Sequence, residues 1–318
     1  MKKTRICDLL GIEYPILQGG MLWLATAELA AAVSNAGGLG IISPLAGMER
    51  YGDSIENLQF QIGKVRDLAK KPFAINIPLD LERSGVFIDV ILKEKTGIIV
   101  TAAGDPHHYT EVLHKESFKV LHVVSSVKQA KIAESCNVDA VIVEGVEAAG
   151  HLGFDELPLF SLLPQVTDAV SIPIVAAGGI VDSRGIVAAF ALGAEGVQLG
   201  SRFVVVEESI ANLRYKQAIL EANDTDTVIT CRKLLPTRSL KTEFARRLLE
   251  LEESAASADD FRNFLGYSRV RTGQLEGDLE NGEAYCGASA GLIKEILPAA
   301  TVVQNLIEGY QKVIEKII

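Results

Sequence analysis

The feature that most constrains this chain is an eightfold alternation of short apolar runs with amphipathic segments of helical period. The apolar runs are PILQGG from Pro15, LGIISP from Leu39, FAINIPL from Phe73, GIIVTAA from Gly97, KVLHVVSS from Lys119, AVIVEG from Ala140, PIVAAGG from Pro173 and GVQLGSRF from Gly196. Most are β-branched and continuous, the pattern of strands buried on both faces. Helical segments such as TAELAAAVSNAG, IENLQFQIGKVRDLA, VKQAKIAES and SRGIVAAFALG stand between them. Strands that alternate with helices run parallel, joined by right-handed crossovers. Eight units predict an α/β fold closed as a TIM (β/α)8 barrel. The competing open, doubly wound sheet needs a glycine fingerprint behind its first strand. The one candidate, GGLG at Gly37 to Gly40, precedes its strand and lacks the third glycine.

A chain of 318 residues exceeds a usual single domain but suits a barrel with additions. Residues 1–206 are expected to form the barrel and 207–271 a helical insertion or lid over its mouth. The remaining 272–318 should return to the barrel through LPAATVVQNLIEGYQKVIEKI. The basic residues of RSLKTEFARRLLELEESAASADDF are matched by acids, which describes a solvated face better than an anion site.

Charge and cysteine usage narrow the function. A net charge of -10 argues against a nucleic-acid partner, which needs a basic face. Lys2, Lys3 and Arg5 are followed by Asp8 and Glu13, so no signal peptide is expected, and no apolar run has the length of a membrane span. Cys7, Cys136, Cys231 and Cys286 form no CxxC pair and no zinc spacing. They predict buried thiols in a reducing cytoplasm and no metal. His107 and His108, in GDPHHY, read as part of a solvated loop.

Chemistry in a barrel collects at the carboxyl ends of its strands. There the first strand offers Gln18, Gly19, Gly20 and Met21, the third Asn76, and the sixth Glu144. Behind Glu144 the small-residue loop EGVEAAGHLG carries His151, which alone would read as a histidine satisfied in a turn. The seventh strand ends in Gly178 and Gly179, the eighth in Gly200, Ser201 and Arg202. Paired glycines after the seventh strand and a Gly-Ser after the eighth make the usual barrel phosphate site, with Ser201 adding a hydroxyl and the helix from Ser183 its positive end. Gly19, Gly20 and Met21 suit a ring face, Asn76 a ring edge and Glu144 ribityl hydroxyls. Together they describe an FMN site, whereas no fingerprint for a resident dinucleotide is present.

The motifs PILQGGM, AGGLGII, FAINI, EGVEAAGHLG, IVAAGGI and GAEGVQLGSRF resemble those of the nitronate monooxygenase (2-nitropropane dioxygenase) family, over nearly the whole chain. They are also similar to its relative, the flavin-dependent enoyl-acyl-carrier-protein reductase. The resemblance implies an FMN-bound barrel with a small helical domain and His151 as the catalytic residue, a base toward a nitroalkane C–H. GFDELPLFSLLPQV after His151 looks like the monooxygenases; Val123 and the tail GDLENGEAYCGASAGLI look like the reductase. Both groups usually carry a glutamine where this tail has Ala288. The reading adopted is oxidation of alkyl nitronates or nitroalkanes with O2, with an NAD(P)H-dependent enoyl reductase as the alternative. A barrel that binds FMN or a phosphate without catalysis is the remote one. A small-molecule substrate is expected, with no membrane partner, and a homodimer is compatible with the sequence.

Overall fold

The computed structural model describes residues 1, 3–48, 54–254, 256–266 and 268–317; Lys2, named above, lies outside them. Its strands are β1 (Ile16–Gln18), β2 (Gly40–Ile42), β3 (Phe73–Pro78), β4 (Ile98–Ala102), β5 (Lys119–Val124), β6 (Ala140–Glu144), β7 (Gly150–His151), β8 (Ile174–Ala177), β9 (Gly196–Leu199), β10 (Thr227–Thr230) and β11 (Thr237–Leu240). Eight of them pair in the order β1-β9-β8-β6-β5-β4-β3-β2, every ladder parallel. A parallel bridge between Leu17 and Leu39 joins the two ends, so the sheet closes as the predicted TIM barrel.

The pleat sorts each strand into two faces. Ile16, Ile42, Ile75, Ile99, Val120, Val141, Ile174 and Val197 face outward into the layer beneath the helices. Leu17, Ile41, Ala74, Val100, Leu121, Ile142 and Val175 point inward. The inward core is completed by Ile6, Leu10 and Ile12 from the amino-terminal helix Arg5–Leu10 and the turn after it. That helix is also tied by Arg5, whose Nε donates to Glu195 Oε2 at 2.8 Å. The ion pair is exposed and contributes about 0–1 kcal/mol. Burying Ile6 or Leu10 contributes about 1.5–3 kcal/mol each, so apolar packing seats the helix.

Among the described residues, helices of nine residues or more follow the first seven barrel strands, whereas β9 leads only into the four-residue helix Ser201–Val204. The eighth position, beside the helices Ser183–Ala191 and Ala27–Asn35, is filled by the final helix Ala299–Ile317. The barrel strands are thus complete before residue 206, but the last crossover waits for nearly a hundred residues. Residues 207–271 hold helices, including Leu213–Glu221 and Glu243–Glu253, and also a hairpin of β10 and β11 that the helical periodicity did not announce. The matched charges behave as expected: Arg246 pairs with Glu243 and Glu250 on one helix face. His107 and His108, expected in a loop, begin the helix His107–Lys115. Pro106 presets its first turn at φ -66°, and Asp105 Oδ1 accepts the His107 N–H at 2.9 Å. All four cysteines are free and buried. No helix among the described residues is long and apolar enough to cross a membrane.

Candidate active site

At the carboxyl rim the inward positions change from apolar to polar. The same alternation that points Ala74 and Ile142 into the barrel points Asn76 and Glu144 there one step later. Asn76 is buried, and the backbone of Gly20 lies so close to its amide that a Cβ on residue 20 would collide with it. Burial alone pushes the Glu144 carboxyl up to about 7. On β9 Gln198 points inward, and its buried Oε1 has no hydrogen-bond partner among the described residues. The sequence reading missed Gln198, although the alternation in GVQLGSRF would have placed it.

Gly19 closes the gap between first and last strands: its N–H donates to Leu199 O at 2.8 Å, beside Gly200. Met21 is partly buried between the outer barrel core and the cluster under the insertion. Gly178 and Gly179 adopt φ values of 98° and 71°, a region where a side chain is strained. Gly178 rests against the backbone of Gly145 and Ala148, and Gly179 against Glu147 and Ser289. Among the described residues no hydrogen bond uses the N–H of Gly178, Gly179 or Gly200, and a Cβ on Gly200 would meet open space. Ser201 Oγ accepts from Gly287 N at 3.0 Å, which leaves its own proton to donate. Three backbone donors and a hydroxyl are the donor set of a phosphate cradle. The helix Ser183–Ala191 adds less than expected, because Asp182 caps it and accepts from Arg184 N at 2.9 Å. That carboxylate offsets the positive helix end.

His151 is held by the insertion. β7 pairs antiparallel with β11, matching His151 to Thr237 and Gly150 to Arg238. Leu152 N donates to Pro236 O at 2.8 Å, and Arg238 Nε donates to Val146 O at 2.9 Å. The loop is therefore clamped on both sides of the histidine. Its ring is exposed to solvent, yet protein surrounds it closely enough to push its pKa below the usual histidine value, against a weak opposing pull from Asp80. A neutral imidazole near neutral pH can accept a proton.

The tail behind the insertion completes the rim. Ala288 N donates to Glu147 O at 2.9 Å and Ser289 Oγ to Gly179 O at 2.7 Å, so Ala288 and Ser289 brace the glycine loop. Tyr285 Oη lies 3.4 Å from His151 Nε2 and 3.3 Å from Glu283 Oε2. Neither residue was singled out from the sequence, since nothing local connects them to a histidine 134 positions earlier. By contrast Val123 lines the inner core and Cys286, pushed up to about 12 by burial, stays an inert thiol.

Comparison with known proteins agrees with this geometry. The family model for nitronate monooxygenase matches residues 3–86 and 82–309. A probable nitronate monooxygenase of Staphylococcus saprophyticus subsp. saprophyticus is 31% identical, spanning 98% of this chain and 99% of its own length. Among solved structures, FabK from Thermotoga maritima is 42% identical with a TM-score of 0.92, covering 100% of this chain and 99% of that one. The nitroalkane oxidase of Streptomyces ansochromogenes is 26% identical with a TM-score of 0.84, covering 99% and 100%. With a barrel of this topology and a family match along almost its whole length, the chain belongs to the nitronate monooxygenase family.

Proposed function

We propose that this protein binds FMN across the barrel mouth and oxidises alkyl nitronates and nitroalkanes with O2, His151 serving as the base. The observation that carries the reading is a phosphate-type donor set and a clamped histidine of lowered pKa on one rim. Gly178, Gly179, Gly200 and Ser201 would hold the phosphate, Glu144 the ribityl hydroxyls, and Gly19, Gly20, Met21 and Asn76 the ring. The donor set fits, and so does Glu144: a carboxyl near 7 both donates and accepts, as hydroxyls require. Bound there, FMN supplies the electron chemistry. The chain's own part is to position the substrate and take the proton from the carbon next to the nitro group, on His151. A preformed nitronate has already lost that proton and needs only positioning.

A second reading, NAD(P)H-dependent enoyl-thioester reduction, is favoured by the higher identity to FabK, 42% against 26% for the nitroalkane oxidase. One batch of flavin-loaded protein separates the two. We expect oxygen uptake with short alkyl nitronates without NAD(P)H, and little NAD(P)H loss with crotonyl thioester. Fast thioester-dependent NAD(P)H oxidation without nitronate turnover would make the reductase the correct activity.

A further inference from the structure

We propose that Tyr285 and Glu283 form a proton relay for His151, carrying the proton taken from substrate away from the mouth to a buried carboxylate. The inference rests on the base role proposed above and assigns two residues that role does not include.

The three groups are brought together by one strand. β11 pairs with His151 through Thr237, and two residues on Ser239 bridges antiparallel to Tyr285. Leu240 N then donates to Ala284 O at 2.8 Å. The histidine loop and the tail are thus set side by side on a shared template. Gly150, at φ 78°, leaves room for the Tyr285 ring, which a Cβ there would crowd at 3.1 Å. The ring centroids of His151 and Tyr285 lie 5.9 Å apart. Tyr215 donates to the Tyr285 carbonyl and fixes the residue from behind.

The Tyr285 hydroxyl donates to Glu283 Oε2. With that single proton engaged, the contact at His151 Nε2 fits the Nε2–H tautomer, in which the ring donates to Oη. Nδ1 then carries the free lone pair. When the C–H bond of a nitroalkane breaks, its electron pair passes to the nitro group and its proton goes to Nδ1. The Nε2 proton moves to Oη as the Oη proton moves to Oε2. The sum is a nitroalkane and a carboxylate becoming a nitronate and a carboxylic acid, with no change of oxidation state.

Glu283 suits the terminal position. It is 6% exposed, and burial pushes its carboxyl up to about 7, so it accepts a proton near neutrality. The titratable groups around the relay stay neutral: Cys231 is pushed up to about 12, and Tyr215 and Tyr285 lie well above the usual phenol value. The guanidinium groups of Arg247 and Arg269 bond the carbonyls of Glu280 and Asn281. Asp80 acts on the His151 end, where it favours the charged ring.

The test uses Tyr285→Phe and Glu283→Gln, both close in shape to the originals, in the flavin-loaded protein. The first readout is the NMR titration of ring-labelled His151, assigned by loss of its signal in His151→Gln. Wild type should show a second inflection near 7 from Glu283, absent in both variants. Identical titrations in all three proteins would overturn the relay. The second readout compares neutral nitroethane with preformed ethyl nitronate. Glu283 is an acceptor above its pKa, so kcat/KM for nitroethane should rise through about pH 7, and Glu283→Gln should lose that rise. Both variants should lower the nitroethane-to-nitronate ratio by roughly tenfold or more, a share of the ~10²–10⁴ typical of acid–base catalysis. Equal losses on both substrates would make the tail a structural support and sink the relay. If wild type turns over neither nitro compound, the proposed function fails while the titration still decides the relay.

Discussion

The two ends of the barrel are made from the same eight strands and do opposite work. At the amino end, Ile6, Leu10 and Ile12 press into Leu17, Leu39 and Ile98, and the interior is sealed with apolar side chains. At the carboxyl end β3, β6 and β9 turn Asn76, Glu144 and Gln198 inward, and glycines follow β6 and β9. The sealed end contributes stability through the packing of these apolar side chains. The open end leaves an orphaned Gln198 Oε1 and a Glu144 raised to about 7, unfavourable for folding alone and useful toward a ligand. Apolar packing and unsatisfied polar groups are thus segregated along the barrel axis, as the proposed function requires.

Substitutions should respect that division. The largest effect is expected from Gly179→Val, where φ of 71° and Glu147 at 3.1 Å leave no place for a branched side chain. The protein should fold yet emerge colourless, as read by circular dichroism and visible absorbance; a normal flavin content would remove the cradle from this loop. Next comes His151→Ala. It should stay yellow while its turnover of neutral nitroalkanes falls by ~10²–10⁴-fold, with a smaller loss on preformed nitronates. Equal losses on the two substrates would reduce His151 to a positioning residue. The smallest catalytic effect belongs to the sealed end. Leu10→Ala should cost about 2–5 kcal/mol in urea unfolding, yet leave turnover per flavin-bearing molecule unchanged. A fall in that specific turnover would mean that the two ends are coupled.

Much of this was legible beforehand because strand and helix periodicities are local. The eight strands, the glycine pair after the seventh and the Gly-Ser after the eighth, and the cysteines as buried thiols all follow from neighbours within a few positions. His107 and His108 were misplaced because the capping by Asp105 and the preset turn at Pro106 outweigh the polar look of GDPHHY. The helix end at Ser183 was overvalued because Asp182, one residue earlier, was not weighed as a cap.

By itself, then, the sequence determined the closed barrel and the residue types at each of its ends. Those properties depend on side-chain alternation and on backbone freedom at particular glycines, which short stretches encode. Only the tertiary structure decided what holds His151 in place. β11 is recruited from an insertion almost ninety residues downstream, and Tyr285 and Glu283 from further still. No local rule couples such distant segments: their partnership is a property of the tertiary fold, in which the insertion and the tail meet the histidine loop through β11.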